Sequence, residues 1–279
     1  MAVAAEFTPS LRPPWRSSLA QWDGPMVRLG GALLAGLPVL VLAGLLDDRE
    51  WHGLTLWTKP IKFAIGFALY LMSLGGFAAF IDPAWRQRRV FRVAIFAGLL
   101  AIAMEQAIIT LQSARGVGSH FNIATAFDAA LYSAMGAGSL VLLAMVLPIA
   151  WGLARHPGIR PLSASMRQAL VAGLLLTFGL TLITAGTMAV MGSHRVGAVP
   201  GTNEAMAWMG WLPHAGDLRV PHFFATHAMH AVPLAVLMLG PLMRLGQRGV
   251  VGVAAIYGAV VLAMFVQALQ GHAFLAFIG

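Results

Sequence analysis

The sequence contains no cysteine. That excludes disulfides, thiolate catalysis, Cys-ligated iron–sulfur clusters and c-type haem attachment. Any metal would rest on His, Met, Asp, Glu or backbone groups. Charge is scarce too: 10% of the 279 residues are charged, against about 25% in soluble domains. Only two lysines occur, Lys59 and Lys62, and neither lies in the last apolar stretch. An opsin-type retinal Schiff base is thereby excluded. No internal repeat and no long linker is visible.

What the chain has instead is apolar length, with 59% of residues hydrophobic. A chain this apolar could not cover its own surface in water. Seven stretches are long enough to cross a bilayer, roughly 26–47, 60–81, 90–113, 125–153, 165–192, 220–243 and 249–277. The expected fold is an all-α polytopic membrane bundle forming one domain over 26–279. The first 25 residues, with Pro13, Pro14, Trp15 and Trp22, read as a loose or interfacial lead-in rather than a cleaved signal peptide.

The net charge of +8 does not point to nucleic acid, because the arginines sit in short loops between apolar runs. They set topology. With the N-terminus inside and the C-terminus outside, twelve basic residues face the cytoplasm and six face out, and RQRRVFR (86–92) is the strongest marker. On the same frame eight of nine histidines fall in the outer half, only His156 being inside. No topology rule requires that asymmetry, so it marks a candidate site.

The third span carries Glu105, Gln106 and Gln112 and runs into Arg115, His120 and Asn122. A carboxylate at membrane depth marks a site or a proton route, or else locks two helices together. Asp128 opens the fourth span and reads first as a helix-start carboxylate at the positive end of the dipole. The sixth span places His222, His227 and His230 on one helix, on an arc of roughly 140° at 100° per residue. His227 and His230, one turn apart, have the spacing to share a metal or orient one another. Gln267 and His272 close the seventh span, where His272 is an opposite-side ligand if that helix neighbours the sixth. LTLWTKPIKF (54–63) reads as an interfacial anchor, since Trp and Lys favour headgroup depth. The fifteen methionines read as packing.

The blocks WTKPIKF, EQAIITLQSARGVGSHFN and DLRVPHFFATHAMHAVPL resemble those of a group of uncharacterised bacterial inner-membrane proteins. The resemblance covers most of 55–240 and implies a multi-helix fold in the bacterial cytoplasmic membrane, without an activity. In residue types the chain is also similar to seven-helix zinc hydrolases of the alkaline ceramidase and adiponectin-receptor type. It departs from them because its histidines stand five and three apart on the sixth span, not four apart on the last.

Three functions follow as expectations. The first is a redox protein holding haem b or a transition metal, copper or iron. His227 or His230 would be one axial ligand and His120 or His272 the other, beside a quinone pocket or a periplasmic redox partner. The second is a zinc-dependent hydrolase, with ligands from His120, His222, His227 and His230 and with Asp128 or Glu105 activating water. The third is a proton-coupled transporter or sensor. In each, Gln106, Gln112, Arg115, Asn122 and Gln267 would support the central groups.

Overall fold

The computed structural model describes residues 23–51, 53–160, 162–197, 206, 209–243 and 245–274. Residues 1–22 of the expected lead-in lie outside the described residues, as do His52 and Arg244.

The helices are α1 (Gly24–Leu46), α2 (Thr58–Ala78), α3 (Pro83–Gln87), α4 (Arg89–Arg115), α5 (Ala126–Ala144), α6 (Val146–Arg155), α7 (Ala164–Met191), α8 (Arg219–Thr226), α9 (Ala228–Met243) and α10 (Gln247–Leu269). Two-residue strands form two antiparallel hairpins, β1 (Glu50–Trp51) with β2 (Leu54–Thr55) and β3 (Arg195–Val196) with β4 (Gly216–Asp217). The chain is thus an all-α polytopic membrane protein.

Local chemistry sets the helix ends. Asp23, Asp82, Thr125 and Ser163 cap their helices with side-chain oxygens, satisfying N–H groups that the first turn leaves free. Gly116 and Gly192 end α4 and α7 in the left-handed conformation, φ 72° and 60°, as helix stops commonly do. The last span stops at Leu269, short of the expected 277. There Gly271 turns the chain at φ 81°, and Gln267 Nε2 donates to the Ala273 carbonyl at 2.6 Å.

Six segments are each long and apolar enough to span a membrane, α5 and α6 counting as one over Ala126–Arg155. The sixth expected span, 220–243, is two helices, α8 and α9, bent by 59° at His227. Two contacts show that the bent pair runs from one end of the bundle to the other. Near its start, β4 lies so close to the end of α10 that a Cβ on Gly216 would run into the Ala268 carbonyl oxygen. Past its far end, the Leu245 carbonyl accepts from Ser165 Oγ at the beginning of α7.

Alternation then defines two ends. The basic end carries 79–88, 156–160, 162–163 and 245–246, with Arg86 and Arg88 among its residues and Arg89 and Arg155 next to them. The histidine end carries both hairpins and the segment 116–125. The main apolar core, including Met26, Leu74, Ile81, Phe91, Ile149 and Leu153, occupies the basic half and the middle of the bundle. Small residues allow the close approach that packing between membrane helices needs. At Gly173 of α7 an added Cβ would sit 2.8 Å from the Ala228 carbonyl oxygen.

Candidate functional site

The bend at His227 frees backbone groups that lipid could not satisfy, and neighbouring helices take them up. Thr177 Oγ1 of α7 accepts from the Met229 amide at 2.9 Å. Tyr257 of α10 donates its hydroxyl to the Phe224 carbonyl at 2.7 Å. The bend is therefore built into the packing of three helices.

It also sends the three histidines of this span to different places. His222 Nδ1 meets Thr184 Oγ1 of α7 at 3.0 Å. His227 stacks on Phe223 at 4.1 Å between ring centroids, and its Nδ1 lies 2.7 Å from the Phe223 carbonyl. His230 Nε2 bonds Ser73 Oγ of α2 at 2.8 Å, while its Nδ1 is buried and makes no hydrogen bond. The rings of His227 and His230 lie 5.6 Å apart.

The centre of the histidine end is elsewhere. Lys59, in the first turn of α2, points its ammonium at His120 Nδ1, 3.1 Å away. This corrects the expectation of a headgroup anchor: Lys59 turns into the bundle. An ammonium only donates, so Nδ1 accepts, and neutral His120 carries its proton on Nε2. His194 and His222 also lie within electrostatic reach of His120. Burial, helped by the Lys59 charge, holds His120 well below its ordinary pKa. Burial likewise pushes His194, on the loop before β3, down to about 4, assisted by Arg219. The Nε2 of His194 is buried without a hydrogen bond.

Between His120 and His194 stands Phe121, whose ring is 6.3 Å and 6.2 Å from theirs. Phe121 has φ 57° and is the one non-glycine residue with positive φ among the described residues. A bulky side chain rarely adopts that conformation, and strain of this kind collects at functional sites.

Glu105 lies beneath this group on α4, 3% exposed. A Cβ placed on Gly138 of α5 would be 3.8 Å from its Cγ, and Lys59 is its charged neighbour. Its Oε1 is buried with no hydrogen-bond partner. Gln106, one residue on, donates to the Pro60 carbonyl at 3.2 Å, and its Oε1 is also without a partner. The start of α2 and the middle of α4 are thus tied together around Lys59.

The other expected site residues form a separate structure. Asp128 Oδ1 accepts from Gln112 Nε2 at 2.9 Å and pairs with Arg115 Nη1 at 2.6 Å. Its Oδ2 accepts from Thr125 Oγ1 at 2.7 Å. Arg115 also donates to Gln112 Oε1 and covers the Phe127 ring, 5.0 Å from its centroid. Both Asp128 oxygens are engaged, so this group locks the end of α4 to the start of α5. Asn122 holds the intervening turn through Gly118 and Ala124. Gln267 caps the last turn, and His272 is exposed beyond it.

The expected ligands accordingly do not share one sphere. Among the described residues, no three His, Asp or Glu side chains are grouped closely enough to hold a metal ion. No hydrogen bond or ring contact links His227 or His230 to His120 or His272. Lys59, His194, Ser73 and Thr184 were not expected at the site. Lys59 stands beside Pro60 in the first turn of a span, but nothing in the sequence marks that it turns inward rather than to the headgroups. Scans of protein-family models, of curated proteins and of solved structures each find no match to this chain.

Proposed function

We propose that this chain is a proton-coupled transporter or sensor of the bacterial inner membrane, with its basic end in the cytoplasm and its histidine end facing out. The observation that carries this reading is Glu105: a buried carboxylate with a partnerless oxygen, beside a lysine that hydrogen-bonds a histidine. Intramembrane ionisable groups mark proton relays and solute pathways. Here the order is Glu105, Lys59, then His120, with His194 and His222 next to it, running from mid-bundle toward one face. A proton arriving at this face meets imidazoles first and the carboxylate last.

The broken span supports the same reading. Discontinuous helices surround the sites of many transporters, because they present polar backbone and side chains inside the bilayer. His227 stands at the break, and His230 follows it with a free buried nitrogen.

The test is proton flux in proteoliposomes carrying an internal pH-sensitive dye, under an imposed membrane potential, with a panel of small anions and amines outside. A solute-evoked pH change in the wild type that is lost in Glu105→Gln supports the proposal. Equal responses of wild type and Glu105→Gln across the panel overturn it.

A second reading, the redox centre, is kept by one observation: His230 Nδ1 is a buried, unengaged ligand atom, and the His227 ring lies 5.6 Å from the His230 ring. A reduced-minus-oxidised spectrum of haem-supplied protein decides it. Bands lost in a His227→Ala, His230→Ala double variant favour it, and a flat spectrum removes it.

A further inference from the structure

The basic end carries a groove that the proposed function leaves unused. It has a volume of about 470 Å³ and lies between α3, α4, α6 and α7, with Trp85, Val90, Leu147, Pro148, Trp151 and Leu175 among its lining residues. Val90, Leu147, Trp151 and Leu175 are exposed, so the groove opens on the lipid side of the bundle. Its floor is held in place. Trp85 Nε1 donates to the Pro148 carbonyl at 3.0 Å. The Trp85 ring stacks on His156 at 4.4 Å with 13° between planes, and it fits against α6 only because residue 152 is glycine.

Two guanidiniums belong to this groove. Arg88 lies over the Trp85 ring, 5.6 Å from its centroid, and Arg155 lies over Trp151 at 5.3 Å. Both rings line the same cavity, so both charges stand at its rim. Among the described residues, neither arginine pairs with a carboxylate.

We infer that this groove binds one anionic phospholipid, with an acyl chain along the apolar floor and the phosphate between Arg88 and Arg155. The charge decides the class of occupant. An apolar groove alone would take any lipid tail, whereas two rim arginines without carboxylate partners favour a negative headgroup. Tryptophans at this depth define the headgroup boundary and place the phosphate level with both guanidiniums.

The experiment is native mass spectrometry of the full chain released from nanodiscs containing equal phosphatidylglycerol and phosphatidylcholine. The expected result is retention of one phosphatidylglycerol over phosphatidylcholine by about tenfold. That preference should fall to near parity in Arg88→Gln, Arg155→Gln. It should persist in Arg28→Gln, Arg248→Gln, which removes the same charge from the same end but outside the groove. Trp151→Ala should lower retention of both lipids. The proposal is overturned if the first double variant keeps the preference, or if both double variants lose it equally, which would indicate a diffuse basic surface. It also fails if inorganic phosphate displaces the lipid at millimolar concentration, which would mark a simple anion site.

Discussion

The two halves of this bundle are built differently. The basic half is packed by large apolar side chains such as Phe91, Ile149 and Leu153, each no more than 1% exposed. In the histidine half the helices still touch, but the interior holds Glu105, Gln112, Ser113, Ser119, Asp128, Thr181, Thr184 and Asp217, all buried. Within a bilayer an apolar side chain gains little by leaving lipid, so packing contacts hold the basic half together. A buried polar group in lipid costs several kcal/mol unless it is satisfied. The polar half therefore divides into groups whose partners are all within the protein and groups with atoms left over. Asp128 and Asp217 belong to the first kind, and Glu105, His194 and His230 to the second. The first kind builds the fold, and the second is available for function.

The sharpest way to break this comparison is at Glu105. Glu105→Gln keeps the shape and removes the titratable proton. It should cut proton-coupled flux by about 100-fold, the usual loss when a positioned acid–base group is removed, with thermal stability unchanged or higher. A fall in stability as large as the fall in flux would move Glu105 into the structural class.

In the opposite half the effects should invert. Phe91→Ala should lower unfolding stability in detergent by about 3 kcal/mol, at the lower end for an aromatic truncation. Flux per folded molecule should stay the same. Asp128→Ala should behave in the same way despite its position at the histidine end. It strands Gln112 and Thr125, at a cost of about 2 kcal/mol, but leaves Lys59 and His120 in place. Thermal unfolding alongside flux checks both variants. Loss of flux from folded Asp128→Ala would return that carboxylate to the functional group.

Most of the fold was legible in the sequence, because apolar length is a strong signal and nearly every span boundary falls within a few residues of its expected place. The break at His227 was not. Nothing within His222–His230 stops a helix by itself; Pro221 stands at the start of α8, and Pro233 lies six residues past the break, inside α9. The break is stabilised by Thr177, Gly173 and Tyr257, which are distant in sequence. The histidine asymmetry marks the end that carries the candidate site, but the structure does not bring the expected ligands together. Spacing along one straight helix placed His222, His227 and His230 on a common arc, and a 59° bend disperses them. Lys59 was hidden for another reason: a lysine at the start of a span looks the same in sequence whether it turns outward to headgroups or inward to His120.

Acid should act on the histidine end before the basic end. His194 has a pKa of about 4 in the folded protein, against 6.5 ordinarily. Between those values the unfolded chain binds a proton that the folded site refuses, so stability falls as the pH drops from 6.5 toward 4. His120 is lowered for the same reason and adds in the same direction. Thermal unfolding at pH 5 should come earlier than at pH 7.5, and His194→Asn should narrow the gap. An unchanged gap in His194→Asn would assign the acid limb to His120 and other groups rather than to His194.

The smallest effect, and the finest discrimination, is expected at Phe121. Its positive φ costs about 1 kcal/mol or more in an L-residue with a side chain, and glycine would remove that cost. The same change deletes the ring that stands near His120, His194 and Tyr132, and lost contacts offset the relief. Phe121→Gly should therefore shift stability by less than about 1 kcal/mol in either direction. The site should respond more strongly than the fold. Without the ring, water reaches His120, and its pKa should rise toward the ordinary histidine range, which histidine-selective NMR titration reads directly. A rise with stability nearly constant would show that the strained residue keeps the imidazole dry. If stability falls sharply and the pKa stays where it is, the ring belongs to the packing of the histidine end, and the division between the two halves is less clean than their burial suggests.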